Sequence, residues 1–135
     1  MNKKLFGFLF ALVVLVTLSG NVFSQTLYFC EGVSDDGYPI TESSTFTIPS
    51  GGGYFYFLVR LPYEVGCTYV NYEIYEVDSY GRETYSTTIN QDDMKRSWAW
   101  FWKKVTFYTP GNYKVYVNDC SNYSITSGYV TVKMK

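Results

Sequence analysis

The chain contains the stretch Pro110-Gly111-Asn112-Tyr113-Lys114-Val115-Tyr116-Val117, a turn pair followed by strict alternation of side chains. Pro and Gly together favour a tight turn, because Pro fixes φ and Gly tolerates positive φ. After the turn, Tyr113, Val115 and Val117 fall on one side of an extended chain, and the residues between them fall on the other. Alternation of this kind is typical of a half-buried β-strand.

The same pattern recurs throughout the chain after residue 25. Short runs of aromatic and β-branched residues are separated by clusters of Gly, Pro, Asn, Asp and Ser, which is typical of antiparallel β-structure. The polar segment Val33–Ser44 is predicted to be a loop. The strands are predicted to span Thr26–Glu31, Thr45–Ile48, Tyr54–Leu61, Cys67–Val77, Glu83–Ile89, Ser97–Tyr108, Asn112–Asp119 and Ser124–Met134. About eight short strands with regular turns predict an all-β fold, a single antiparallel β-sandwich.

The stretch at residues 110–117 resembles the P-G-x-Y-x-V-x-V run found late in many immunoglobulin-like and fibronectin-like sandwiches. The resemblance implies that Tyr113 stands at the entrance to strand F and that its hydroxyl ties back to the preceding connection as a tyrosine corner. The cysteine that immunoglobulin domains carry two residues after this tyrosine is absent, because Val115 stands there. The resemblance therefore implies an immunoglobulin-like architecture and no particular function.

Residues 1–24 have the organisation of a signal peptide. Lys3 and Lys4 form a positively charged start, and residues 5–18 form an uncharged, almost wholly apolar run. This run is shorter than the ~20 residues that a membrane-spanning helix needs. We therefore expect a cleaved signal peptide and no membrane span in the mature chain.

The residues around the expected cleavage point favour export without a lipid anchor. Val22 and Ser24 are small enough for the signal peptidase subsites, so cleavage is expected before Gln25. Asn21 stands where a bacterial lipoprotein has its lipidated cysteine. The sequence thus predicts an exported protein, periplasmic or secreted, whose mature part is one domain at residues 25–135.

The charge balance of the chain excludes some classes of partner. The whole chain has a formal net charge of −1, and the domain is more acidic once Lys3 and Lys4 are removed with the signal peptide. No stretch is dense in Lys and Arg. We therefore expect no nucleic-acid partner and no electrostatic docking on anionic lipid.

Three cysteines lie in the predicted domain: Cys30, Cys67 and Cys120. An odd number in an exported chain suggests one disulfide and one remaining thiol. In the topology that the resemblance implies, Cys67 opens strand C and Cys120 follows strand F, so the two lie at the same end of neighbouring antiparallel strands. We expect a Cys67–Cys120 disulfide, with Cys30 free or buried.

The sequence offers no recognisable catalytic machinery. It contains no histidine, which excludes Ser/His/Asp and Cys/His relays. The same absence, with no C-x-x-C spacing, argues against a Cys/His zinc site. The acid pairs Asp35-Asp36 and Asp92-Asp93 are adjacent in sequence, so their side chains point apart. We predict a protein that is not an enzyme and has no metal and no cofactor.

Three tryptophans stand close together at Trp98, Trp100 and Trp102. On one strand they would share a face, with Phe101 and other apolar residues on the opposite face. In one interpretation the indoles fill the sandwich core, which avoids the cost of exposing them. In the other they form a flat aromatic platform that binds sugar rings or a peptide, to which neighbouring strands would add Tyr54 and Tyr56.

These alternatives leave two function classes open. The first is a non-enzymatic module for protein interaction or structural support, and the second is a carbohydrate-binding module that uses an exposed tryptophan row. The expected partner is accordingly a protein or a polysaccharide. Which class applies depends on whether the tryptophans are buried.

Overall fold

The computed structural model describes residues 25–135, and the predicted signal peptide at residues 1–24 lies outside them. The described residues form nine β-strands: β1 (Thr26–Val33), β2 (Pro39–Glu42), β3 (Thr45–Ile48), β4 (Gly53–Arg60), β5 (Val70–Val77), β6 (Glu83–Gln91), β7 (Trp100–Phe107), β8 (Gly111–Asn118) and β9 (Ser124–Met134). None of these residues belongs to a helix able to cross a bilayer.

The strands form two sheets that face each other. One sheet has the order β2-β1-β4-β7, and the other has the order β3-β9-β8-β5-β6. Within both sheets neighbouring strands are antiparallel, except that β3 runs parallel to β9. The predicted β-sandwich is therefore confirmed, but the expectation of antiparallel pairing throughout is wrong for β3 and β9.

The core lies between the two sheets and is built largely from aromatic rings. Phe55 of β4 stacks on Phe46 of β3 and on Phe107 of β7, with ring centroids 4.1 and 4.9 Å apart. Phe57 of β4 meets Tyr72 of β5 edge to face at 5.5 Å. Large rings suit a domain of this size, because a small core needs much apolar area in each side chain.

The segment between Val33 and Ser44 was predicted as a loop and contains a strand. The turn itself is formed as its sequence suggests, with Gly37 N–H donating to the carbonyl of Ser34. The residues beyond it pair with β1 as β2, and β1 extends to Val33. Because β2 is short, polar and largely exposed, it has no hydrophobic alternation by which its sequence could be recognised.

The predicted disulfide is present. Cys67 lies just before β5 and Cys120 just after β8, and these strands pair antiparallel with Asn71 opposite Asn118. Their Cα atoms are 5.8 Å apart and their sulfurs are bonded. Cys30 was expected to be free or buried, and its thiol is both free and fully buried.

A buried tyrosine fixes the connection between β7 and β8. The Tyr113 hydroxyl donates a hydrogen bond of 2.6 Å to the carbonyl of Thr109, four residues earlier. The ring meets Phe107 edge to face at 5.0 Å. Tyr113 thus joins the turn at Pro110 to the core of the sandwich.

Replacing both disulfide cysteines, Cys67→Ala with Cys120→Ala, is expected to lower the free energy of unfolding by about 4 kcal/mol, because the unfolded chain regains the freedom of a long closed loop. Guanidinium unfolding monitored by circular dichroism measures the loss. Cys30→Ala is the control, since it keeps the disulfide. A loss as large in Cys30→Ala as in the double variant would contradict the assignment.

Tyr113→Phe is expected to lower the free energy of unfolding by about 1 kcal/mol, because it removes one partly buried hydrogen bond and leaves the aromatic ring in place. The same unfolding measurement applies. Tyr123→Phe serves as the control, because the Tyr123 side chain is exposed and should tolerate loss of its hydroxyl. Equal stability of Tyr113→Phe and the wild type would show that the hydrogen bond contributes nothing.

Candidate functional site

The side chains of β4 alternate between the core and the outer surface of the four-stranded sheet. Phe55, Phe57 and Val59 are buried in the core. Since successive side chains of a strand point to opposite faces, Tyr54 and Tyr56 point outward. The tyrosines are consequently on the outside of the sandwich.

The pairing of β4 with β7 places two tryptophans on the same outer surface. Leu58 lies opposite Trp102, and Tyr56 lies opposite Lys104. Trp100 shares this face of β7, whereas Phe101, between the two tryptophans, is in the core. The interpretation in which the tryptophans fill the core is therefore wrong for Trp100 and Trp102.

Trp98 is not part of this face. β7 begins at Trp100, and Trp98 stands in a turn in which its N–H donates to the carbonyl of Lys95. Its carbonyl accepts from Val65 N–H, and its ring packs partly buried against the core. The row of three indoles on one strand face is thus not formed, because the strand starts two residues too late.

Three outward-facing rings from β4 and β7 adjoin one another, and we call them the aromatic face: Tyr54, Tyr56 and Trp102. Tyr54 and Tyr56 have centroids 6.1 Å apart and planes inclined by only 28°. Tyr56 and Trp102 follow at 5.4 Å. Trp102 is 46% exposed and Tyr54 is 55% exposed, so ring surface is available to a ligand.

A cation borders the aromatic face. The Lys104 ammonium lies 3.9 Å from the ring centroid of Tyr54, which is cation–π distance. This contact holds the ammonium over the Tyr54 ring, so the cation covers part of that ring and presents its donors on the aromatic face. The exposed rings therefore have hydrogen-bonding groups beside them.

Trp100 is held by the turn between β1 and β2. A Cβ added to Gly37 would lie 2.3 Å from the indole Cδ2, so the Gly37 backbone lies directly against the ring. The Arg60 guanidinium donates to the Gly37 carbonyl and lies 4.1 Å from the ring centroid of Tyr38. The Trp100 ring is therefore partly covered by this turn, whereas the Trp102 ring is exposed.

Two side chains on the outer surface of the four-stranded sheet are covered by their neighbours. Leu58 and Cys30 are both fully buried, although their strand positions point away from the core. The larger side chains around them must cover them. Burial raises the pKa of the Cys30 thiol, which makes it a poor nucleophile at neutral pH.

A cleft of about 690 Å³ runs beside the start of β7 and is lined by Gln91, Ser97, Trp98, Ala99, Trp100, Phe101 and Trp102. The Gln91 side chain bridges it: its Nε2 donates 2.9 Å to the main-chain carbonyl of Trp102, and its Oε1 accepts 2.6 Å from the buried Tyr72 hydroxyl. Gln91 did not stand out in the sequence, because its role depends on two strands that are distant along the chain.

The outer surface of the five-stranded sheet carries a second set of tyrosines. Tyr75 meets Tyr85 and Tyr116 edge to face at 5.7 and 5.5 Å. A hydrogen bond to Glu83 raises the pKa of Tyr116 to about 12. Tyr75 and Tyr116 are half-buried and the rings meet edge to face, so they are a weaker candidate than the aromatic face.

The acidic pairs noted in the sequence do not assemble a reaction site. Asp36 accepts a hydrogen bond from the Ser34 hydroxyl in the turn before β2, and Asp92 and Asp93 are exposed after β6. Within residues 25–135 no group of Cys, Asp and Glu side chains is placed to hold a metal ion.

Comparison with solved structures gives a neighbour for the fold. An immunoglobulin-like protein from Pseudomonas aeruginosa superposes with a TM-score of 0.52 at 11% identity, covering 80% of this chain and 92% of its own. The chain has an immunoglobulin-like fold. This immunoglobulin-like arrangement also accounts for Tyr113, whose bond to Thr109 is the tyrosine corner that the resemblance implied.

The remaining comparisons add no function. The alkylpurine DNA glycosylase AlkC from Pseudomonas fluorescens, bound to DNA with an abasic site analog, matches with a TM-score of only 0.36 at 12% identity, over 67% of this chain and 27% of its own. No family model matches the chain, and no curated protein does. An immunoglobulin-like fold hosts many functions, so the function must be argued from the site.

Gly37→Ala is expected to displace the Trp100 indole and to lower the free energy of unfolding by more than about 1 kcal/mol, since the new methyl group overlaps the ring and φ is +84°. Chemical unfolding and tryptophan emission measure the two effects. Gly81→Ala is the matched control, with φ +83° and open space around the added carbon. Equal losses in both variants would contradict close packing of Gly37 on Trp100.

Proposed function

We propose that this protein is an exported, non-enzymatic binding module that holds polysaccharide on the aromatic face. The observation that carries the proposal is the set of adjoining outward rings formed by Tyr54, Tyr56 and Trp102, of which Tyr54 and Trp102 are exposed and Tyr56 is half-buried. Exposed aromatic groups that adjoin one another on a sheet are typical of binding surfaces rather than of inert ones.

The chemistry of a sugar ring fits this surface. A pyranose ring carries C–H groups on its faces and hydroxyl groups around its rim, so it can lie flat on an aromatic ring and keep its hydroxyls hydrated. The electron-rich faces of Tyr54, Tyr56 and Trp102 suit such packing. The Lys104 ammonium beside Tyr54 supplies donors to hydroxyls at the rim.

The shape of the aromatic face favours a chain over a single sugar. Its rings follow one another at 6.1 Å along β4 and at 5.4 Å across from β4 to β7. Each ring alone offers a small contact, so several must act together to hold a ligand. A polymer with repeated ring faces meets that requirement.

Export is part of the proposal. The predicted signal peptide at residues 1–24 directs the chain out of the cytoplasm, and the Cys67–Cys120 disulfide suits the oxidising compartments beyond it. Asn21 leaves no lipidation site at the expected position. The module would thus act in the periplasm or outside the cell, without a lipid anchor.

Protein interaction, the first function class that the sequence left open, is a second candidate. It is favoured by a different feature, the free edge of β7, which ends the four-stranded sheet. The two functions are compatible, because one uses side chains of the sheet face and the other uses main-chain groups of its edge.

Native affinity electrophoresis of the mature protein tests the glycan proposal. Gels containing hydroxyethyl cellulose, laminarin, xylan or alginate are expected to retard the wild type in at least one case. Trp102→Ala is expected to lower that affinity about tenfold or more, which corresponds to ~1.4 kcal/mol of lost contact. Ligand binding should also change the tryptophan emission of the wild type, since Trp102 is exposed.

The matched control is Tyr129→Ala. Tyr129 is similarly exposed but belongs to β9 in the other sheet, so its loss should leave retardation unchanged. Absence of retardation in all four gels, or equal retardation of Trp102→Ala and the wild type, would overturn the proposal.

A further inference from the structure

We propose that the aromatic face binds the end of a polysaccharide chain, because the hairpin formed by β1 and β2 closes the face on one side. This inference rests on the glycan binding proposed above and names the part of the glycan that is bound. A platform that is open at both ends can hold any stretch of a long chain, whereas a platform that stops at a wall favours a unit with no continuation beyond it.

The hairpin leaves the four-stranded sheet after Cys30. β1 pairs with β4 from Thr26, opposite Arg60, to Cys30, opposite Tyr56. The end of β1, at Val33, pairs with β2. A straight continuation of β1 beyond Cys30 would carry the chain away from Arg60, toward the other end of β4.

The tip of the hairpin nevertheless reaches the Arg60 end of the sheet. The Gly37 backbone lies against the Trp100 indole, and the Gly37 carbonyl accepts a hydrogen bond from the Arg60 guanidinium. Arg60 and Trp100 lie opposite each other in the ladder between β4 and β7, and both point to the outer surface. The hairpin therefore folds back over the outer surface of the four-stranded sheet.

Burial on this surface supports that path. Leu58 points outward from β4 and lies opposite Trp102, yet it is fully buried. Cys30, where β1 leaves β4, is fully buried as well. A hairpin that crosses from Cys30 to Trp100 passes over Leu58, and together with the neighbouring side chains it accounts for both burials. We call residues 31–42, which form this crossing, the hairpin wall.

The aromatic face runs toward the hairpin wall. Tyr54 and Tyr56 follow each other along β4, and Trp102 comes next on β7. The next outward position of β7 in the same direction is Trp100, whose ring is covered by Gly37. The series of rings that begins at Tyr54 therefore ends at Trp102, and a sugar chain that lies on these rings meets the wall beyond Trp102.

The end of a chain differs from its interior in a way that suits a wall. A terminal sugar carries a free hydroxyl where an internal sugar carries the bond to the next unit, so only the terminal sugar can stop at the wall. The Arg60 guanidinium lies at this point, 4.1 Å from the ring centroid of Tyr38. A guanidinium has five N–H donors, so it can donate to a terminal hydroxyl while it keeps its bond to Gly37.

Two size fractions of one partly hydrolysed polysaccharide test the proposal, prepared from a polysaccharide that retards the wild type. Both fractions are long enough to cover the aromatic face, and the chains of one are ten times as long as those of the other. At equal mass the shorter fraction therefore carries ten times as many ends. By mass action it should half-saturate the mature protein at about one tenth of the mass concentration that the longer fraction needs. Isothermal titration calorimetry measures both values.

Shortening the hairpin removes the wall and leaves the aromatic face in place. Val33 pairs with Pro39, so residues 34–38 can be replaced by Asn-Gly, which joins two antiparallel strands directly. The shortened tip would not reach Trp100. We expect the two fractions to half-saturate this variant at equal mass concentrations. Its tryptophan emission should shift to the red, because the Trp100 indole becomes exposed.

The turn at residues 78–82 provides a matched control. It has the same length between the paired residues Val77 and Glu83, and the same two main-chain hydrogen bonds close it. It belongs to the other sheet, and a Cβ added at Gly81 meets open space. The same Asn-Gly replacement at this turn should keep the tenfold preference for the shorter fraction. Thermal unfolding verifies that both variants are folded.

The outcomes separate this inference from the function on which it rests. Half-saturation of the wild type at equal mass concentrations of the two fractions would overturn end recognition and leave glycan binding intact. A folded variant with the shortened hairpin that keeps either the wild-type emission or the tenfold preference would overturn it too. Failure of every polysaccharide gel to retard the wild type would instead overturn the proposed function, and end recognition with it.

Discussion

Phe55 and Phe57 point inward from β4 and contact aromatic rings from both sheets, including Phe46, Phe107 and Tyr72. This packing fixes which of the two side-chain faces of β4 points to the core. Because side chains alternate with a period of two, a slip of one residue would exchange all inner and outer positions. Because β4 pairs with β7 in a fixed register, the inner and outer positions of β7 are fixed as well. The outward position of Trp102 is thus a consequence of two phenylalanines on another strand.

The sequence predicted the parts of the fold that depend on alternation. Alternation separated the two faces of β8 correctly, and the disulfide followed once Cys67 and Cys120 were placed at the ends of neighbouring strands. Two features of the fold depend on which strands pair with each other and not on the alternation of side chains. β2 is stabilised by pairing with β1 although its residues are polar, and β3 joins β9 in parallel because the chain crosses from one sheet to the other. Neither leaves a periodic signal in the sequence.

The candidate site was predictable only as a set of residues. Alternation identified Trp100, Trp102, Tyr54 and Tyr56 as possible members of one face, but it gave no means of deciding whether that face was core or surface. The competing stripe of Phe101, Val105 and Phe107 occupies the core, and a strand cannot bury both faces where the sheet is covered on one side. Trp98 was assigned to the row because strand starts are poorly marked, and the role of Gln91 depends on Tyr72 and on a carbonyl of another strand.

β7 is the edge strand of its sheet, and an exposed edge strand can pair with other copies of the protein and so promote aggregation. Lys103 and Lys104 belong to this strand, and charged residues on an edge strand disfavour pairing with other chains. The Gln91 side chain also donates a hydrogen bond to the Trp102 carbonyl, which is then less available to another strand. Trp102 connects both surfaces, with its indole on the aromatic face and its main chain on the edge.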